Sequence, residues 1–372
     1  MRKTTSGDTL MLRAIAGLHV TTLAWDFVDP DWSKRTDLLG FAVGRARIKD
    51  DGALVDFHWL PGIKRFRGVD SELKPGTPVP TSKHPVQSFQ WGDYTAEPDT
   101  LYEYTVSPVV GLPGAATTDR ASEQKVRVRT ECATAPTDDG GARHDVHFNR
   151  GVAGSQAYAR KFPDTVPDET KPLSPQMAWL SRGLYEALIG FIGRASGADA
   201  ARYGLRAMLY EFHYAPVAQA FKRASDDGAD VAIRYEAETY KGVNETVIGT
   251  VGIGHICRPQ KERGGIRHNK FIVILRDDAP VAVWTGSTNI SAGGIFGHSN
   301  VGHVIHDEAI ARRYLDYWDA LAADDVDTEG LRARNMDVEP TPALGEAAPS
   351  DRVATYFSPR DGNGGRTAAT LA

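Results

Sequence analysis

Two kinds of hydrophobic pattern divide this chain. Through residue 130, apolar and polar positions alternate in short runs separated by Pro, Gly and Asp, as at 19–26, 38–48 and 125–130, with little helical periodicity. Alternation puts successive side chains on opposite faces of a strand, so this part predicts an all-β sandwich, with Trp25 on its second strand. From 145 onward, strand-like runs at 205–212, 230–236, 271–275, 281–285 and 300–305 are interleaved with helical patterns at 174–196, 216–225 and 308–323. The first of these helices has Pro175 near its first turn and Leu180, Leu184, Leu188 and Ile192 on one face. Strand and helix in alternation predict an α/β domain on a largely parallel or mixed sheet. The expected layout is a β-sandwich domain at 1–130, a linker at 131–144, an α/β domain at 145–325, a polar, acidic, Pro-rich connector at 326–352, and a last segment at 353–372 that opens with a strand-like run.

Composition narrows the class. With 372 residues the chain exceeds the usual single core, and 41% hydrophobic residues fit a globular protein. A net charge of −5 argues against bulk electrostatic coating of nucleic acid or anionic membrane. Just before 268, Arg258, Lys261, Arg263 and Arg267 cluster with only Glu262 to offset them, a feature that suits a phosphate-bearing substrate as well as a solvated loop. Two cysteines, Cys132 and Cys257, are too few for a disulfide framework. The stretch 9–20 is broken by Arg13 and lacks a signal-peptide pattern, and no run is long and apolar enough to span a bilayer, so a cytoplasmic location is expected.

The candidate chemistry lies in His268-Asn269-Lys270 and Gly286-Ser287-Thr288-Asn289. Residues two apart on a strand share a face, so His268 and Lys270 point together, and Ser287 and Asn289 repeat the offset after the next strand. A neutral imidazole can attack phosphorus and form a phosphohistidine. Lys270 would hold a nonbridging oxygen, with the Ser287 hydroxyl and Asn289 amide as further donors.

These residues resemble the phospholipase D superfamily, whose motif is His-x-Lys followed by an Asp and then Gly-Ser-x-Asn; the resemblance spans roughly 143–325. It implies that His268 is nucleophile or acid/base, with Lys270 and Asn289 catalytic beside it, and that no metal or other cofactor is needed. The family's Asp is replaced by Leu275, with Asp277 and Asp278 the nearest acids. The resemblance also implies two His-Lys motifs per site, and this chain has one His-x-Lys. The other would come from a second copy, as in the family's short nucleases, or from a second half beginning at 353–372, whose pattern parallels 145–159. The first 130 residues resemble a fibronectin type III domain, with Trp25 and a tyrosine corner at Tyr102 as hallmarks, which implies a structural or partner-binding role.

Other positions carry weaker signals. Gly286 and Ser287 are expected to bind substrate, as are Glu211, at the end of a strand near the motif, and Arg267. Asn149 and Arg150 end the first strand of the α/β part and suit either substrate contact or a turn. His298, His303 and His306 do not share a strand face and predict no metal site, and neither do His255 and Cys257 alone. Trp59, Phe66, Phe89 and Trp91 read as core and edge packing. The expected function is a phosphodiesterase acting on phospholipid or nucleic acid; the alternative is an inactive phosphate-binding or partner-binding scaffold.

Overall fold

Leu10–Ala16 shows how sequence makes strand here: Leu10, Leu12, Ala14 and Ala16 are buried while Met11, Arg13 and Ile15 face outward. The computed structural model describes residues 2–131, 143–151, 155–260, 268–323, 327–340 and 353–360. Residues 2–131, with 145–147 and 155–163, form one compact unit, and 143–144, 148–151 and the described residues from 164 on form another. Most of the expected linker, residues 326 and 341–352 of the expected connector, and all of 361–372 lie outside the described residues, although the strand Arg143–Phe148 begins inside the stretch expected as linker.

Through residue 131 the first unit is all-β apart from two short helical turns. One antiparallel sheet runs Arg2–Ser6, Leu10–Ala16, Thr21–Phe27, Gln90–Asp93. The other runs Ala115–Thr118, Leu101–Leu112, Leu38–Ile48, Leu54–Trp59, with Gln124–Arg129 also paired to Leu101–Leu112. Leu12, Leu23 and Trp25 of the first sheet share one core with Phe41, Tyr104 and Val126 of the second. Trp25 lies on the third strand, not the expected second, because two strands precede it. Tyr102 is buried, and its phenolic oxygen accepts a hydrogen bond from the Glu97 amide at 3.1 Å, pinning the chain just before its strand. Residues 60–89 form a long connection in which Pro61–Gly62 pairs with Val79–Pro80.

The second unit is α/β on a mixed sheet in the order Arg143–Phe148, Val301–His306, Ala279–Gly286, Lys270–Arg276, Tyr203–Leu209, Asp230–Tyr235, Cys257–Pro259. Tyr203–Leu209 is parallel to Asp230–Tyr235 and antiparallel to Lys270–Arg276. Helix Ala215–Asp226 connects the parallel pair, and Glu308–Ala322 packs Ile310, Leu315 and Trp318 against Val273, Leu275 and Val283. Among the described residues no helix is long and apolar enough to cross a membrane.

Two expectations change. The helix expected at 174–196 is two helices, Pro175–Ser181 and Leu184–Gly193, although Leu180, Leu184, Leu188 and Ile192 are all buried as expected. Arg182 and Gly183 both take left-handed backbone (φ 50 and 90), which ends the first helix, and Ser181 Oγ accepts from the Tyr185 amide at 2.8 Å while donating to Glu186 at 2.7 Å at the start of the second. The run 353–360 forms no strand. It lies on the helices instead: the Phe357 ring stacks 4.3 Å from that of Tyr317, and Asn335 Nδ2 donates to the Pro359 carbonyl.

Tyr102→Phe removes the hydrogen bond between the Glu97 amide and its phenolic oxygen while preserving packing. It is expected to cost about 1 kcal/mol, read as a lower denaturation midpoint with an unchanged m-value.

Candidate active site

One strand register builds the site. Leu209 pairs with Lys270 in the antiparallel ladder, so the chain leaving that strand, Tyr210 and Glu211, runs beside the residues that precede Lys270. The strand begins at Lys270, and His268 lies just ahead of it rather than within it. The two side chains still meet one neighbour: the Tyr210 ring is 4.4 Å from the His268 ring, edge to face, and Lys270 Nζ is 5.0 Å from the Tyr210 ring centre. Lys270 Nζ also donates to the His268 carbonyl at 2.8 Å, tying the cation to the main chain of the histidine.

Burial sets the protonation states. His268 is exposed as a residue, yet partial desolvation of the ring, assisted by the Lys270 charge, moves its pKa below the ordinary value against the opposing pull of Glu211. At neutral pH the imidazole is therefore uncharged, the form with a lone pair to give. Lys270 is buried, and desolvation lowers its pKa to about 8, again opposed by Glu211. Most of its ammonium persists at pH 7.

Glu211 joins the second half of the motif to the first. Its Oε1 accepts from Asn289 Nδ2 at 2.5 Å, and its carbonyl accepts from the Ile290 amide, while His213 and Tyr214 amides donate to the Ile290 carbonyl. Asn289 Oδ1 is buried and, among the described residues, lacks a hydrogen-bond partner. Tyr240 completes this side: the Glu211 charge raises its phenol pKa, and its ring is 5.0 Å from that of Tyr210. Tyr240 is placed by Glu236, whose buried carboxylate accepts from the amides of Glu238, Thr239 and Tyr240 at 2.7–2.9 Å. Buried Asn244 accepts from the Phe212 amide and donates to the Tyr210 and Glu236 carbonyls, fixing both segments together.

His268, Lys270, Glu211 and Asn289 thus come together. Ser287 and Gly286 serve the loop that carries Asn289. Ser287 Oγ donates to Asn300 Oδ1 at 2.9 Å and accepts from the Val301 amide at 3.1 Å. Gly286 has φ 137, and a Cβ there would collide with the Val301 carbonyl oxygen. Asn149 is buried, with its Nδ2 bonded to the Ile295 and His298 carbonyls and its Oδ1 to the Asn300 amide, so it braces the same loop. Arg150 donates to the Trp179 carbonyl and lies over the Trp179 ring. Arg267, Lys261 and Arg263 lie outside the described residues.

The acids nearest the missing motif Asp are elsewhere. Asp277 and Asp278, both at positive φ (50 and 64), make the tight two-residue turn between Arg276 and Ala279, and Asp277 accepts from Nε and Nη2 of Arg202. That turn closes the far end of the strand, about 20 Å from Lys270 at ~3.4 Å per residue. Leu275 itself is buried in the core. Sequence reasoning missed Tyr210, Tyr240, Glu236 and Asn244. Their spacing carries no motif, and only the strand register brings them to the site.

No family model matches this chain, and no curated protein matches it. Among solved structures it is similar to Nuc, a phospholipase D family member from Salmonella typhimurium (21% identity, 49% of this chain and 95% of that one, TM-score 0.33). It is also similar to NucT from Helicobacter pylori (16%, 49% and 96%, 0.34) and to a polyphosphate kinase from Porphyromonas gingivalis (14%, 44% and 30%, 0.31).

Two stability measurements check this geometry. Gly286→Ala forces a side chain into the Val301 carbonyl and is expected to destabilise by about 2 kcal/mol or more, with heightened hydrogen exchange at 287–290. Lys270→Met removes a desolvated cation and keeps the apolar stem. Since the folded pKa lies below the ordinary lysine value, the charged form opposes folding below about pH 8, and the variant is expected to gain about 1–3 kcal/mol at pH 7. That gain should shrink as pH rises through 8 toward 10.5, where the wild-type lysine is neutral in the fold.

Proposed function

We propose that the second unit is a phosphodiesterase half-site of phospholipase D type. The observation that carries this reading is the pairing of an uncharged, accessible imidazole at His268 with an ammonium bonded to the carbonyl of that same residue. A His268 ring nitrogen gives its lone pair to phosphorus as the bond to the leaving ester oxygen breaks, forming a phosphohistidine. Lys270 neutralises a nonbridging oxygen, and Asn289, oriented by Glu211, offers its amide to the same group. The leaving oxygen takes a proton from a second imidazolium, which then, as imidazole, removes one from the water that attacks phosphorus as the P–N bond breaks and its electron pair returns to His268. That second His-Lys pair comes from another copy of the chain, a partner, or sequence beyond this half. The reading needs no metal or cofactor. The substrate is a phosphodiester of phospholipid or nucleic acid. The first unit is proposed to be fibronectin type III-like, a reading supported by the Tyr102–Glu97 bond and the shared core of its two sheets, and to serve as a structural or partner-binding element.

The test is hydrolysis of single-stranded DNA, duplex DNA and phosphatidylcholine vesicles by the full chain, with His268→Ala as control. Loss of turnover on at least one substrate by a factor of about 10³ or more is expected for the variant, and equal turnover by both proteins on every substrate sinks the enzyme reading. Binding of phosphodiester by wild type with no turnover and no acid-labile phosphoryl adduct favours the scaffold alternative. The pH profile should rise with deprotonation of His268 at acid pH, since attack needs the free lone pair. It should fall as Lys270 loses its proton near pH 8. Lys270→Arg, which stays charged, is expected to carry the alkaline limb upward even if the maximum rate drops.

A further inference from the structure

The connection 60–89 in the first unit far exceeds the roughly 12–15 residues beyond which structureless loops are uncommon without a function. It is built rather than loose. Arg65 donates to the carbonyls of Asp70, Leu73 and Lys74. Asp70 accepts from Lys83 at 2.7 Å and from buried His84 Nε2 at 2.9 Å, and His84 Nδ1 in turn accepts from the Phe66 amide. Thr81 is buried and bonded through its hydroxyl to both the amide and the carbonyl of Val43.

This framework borders a partly open cavity of about 380 Å³, within the range of small-ligand sites. Its walls include Phe66, Val86 and Trp91, half-buried side chains that expose apolar and aromatic surface to it. Its charged lining residues are Lys64 and Arg65, and no Asp or Glu lines it. Arg65 is committed to three carbonyls. Lys64 is exposed and, among the described residues, has no ion-pair partner. An apolar cavity with one available cation and no carboxylate rejects cationic ligands and rewards a single negative charge on a flat hydrophobic body. We infer that this cavity binds a small aromatic molecule carrying one anionic group, its ring against Phe66 and Trp91 and its charge at Lys64. Phe66 and Trp91 then have a ligand-facing role beyond the packing expected of them.

The probe is 2-naphthoate, added to the full chain and followed through the Trp91 indole N–H resonance, assigned with Trp91→Phe. Saturable binding is expected, with 2-naphthamide weaker by about tenfold because it lacks the charge. Lys64→Met, a surface change, should erase that difference. Gly62 has ordinary backbone, and a Cβ there would make only van der Waals contact with the Trp91 ring at 3.8 Å, so Gly62→Leu introduces bulk beside the cavity and should abolish binding. Equal affinity for naphthoate and naphthamide in wild type, an unaltered preference in Lys64→Met, or the absence of saturable binding overturns the proposal. If Gly62→Leu proves unstable, the Lys64→Met comparison decides alone.

Discussion

The pairing of Leu209 with Lys270 is the constraint on which the candidate site depends. An antiparallel ladder aligns two strands end to end, so fixing that single pair determines what stands beside the residues just outside it. A slip of one residue would turn Lys270 to the opposite face and carry Glu211 away from Asn289. The register is secured from within by Met208, Phe271, Val273 and Leu275, all buried in one core against the helix that follows the sheet. Hydrophobic burial thus sets the position of charged groups that would not choose it themselves.

Those groups pay for their position in solvation. Lys270 loses water without gaining a carboxylate at ion-pair distance among the described residues, and its compensation is a carbonyl bond and the face of Tyr210. Asn289 donates well but leaves Oδ1 unanswered. Gly286 accepts a backbone conformation hostile to side chains. These local costs leave polar groups that are not fully satisfied near one exposed imidazole, and a fully satisfied pocket would have nothing left to offer a ligand.

Much of this was legible in the sequence, for identifiable reasons. Alternation gave the β character of the first unit and periodicity gave the buried faces of the helices, because both patterns record burial directly. His268, Lys270 and Asn289 stood out by offset. Arg13, which breaks the run at 9–20 as a signal-peptide pattern, faces outward on the strand Leu10–Ala16. The break at Arg182–Gly183 was hidden because burial periodicity continues across it. Phe357 suggested a strand by composition, while its actual role is to pack on aromatic rings of a helix. The long connection at 60–89 holds its shape through side chain to main chain bonds, which leave no periodic trace.

The Glu236 carboxylate has a consequence for how this site can change over time. It grips the loop at 238–240 by main-chain amides, which every residue except proline possesses, and the side chains at Glu238 and Thr239 are exposed. The exposed side chain at Thr239 can therefore change in charge or bulk without loosening the main-chain grip that places Tyr240, so the path of the loop is set independently of that position.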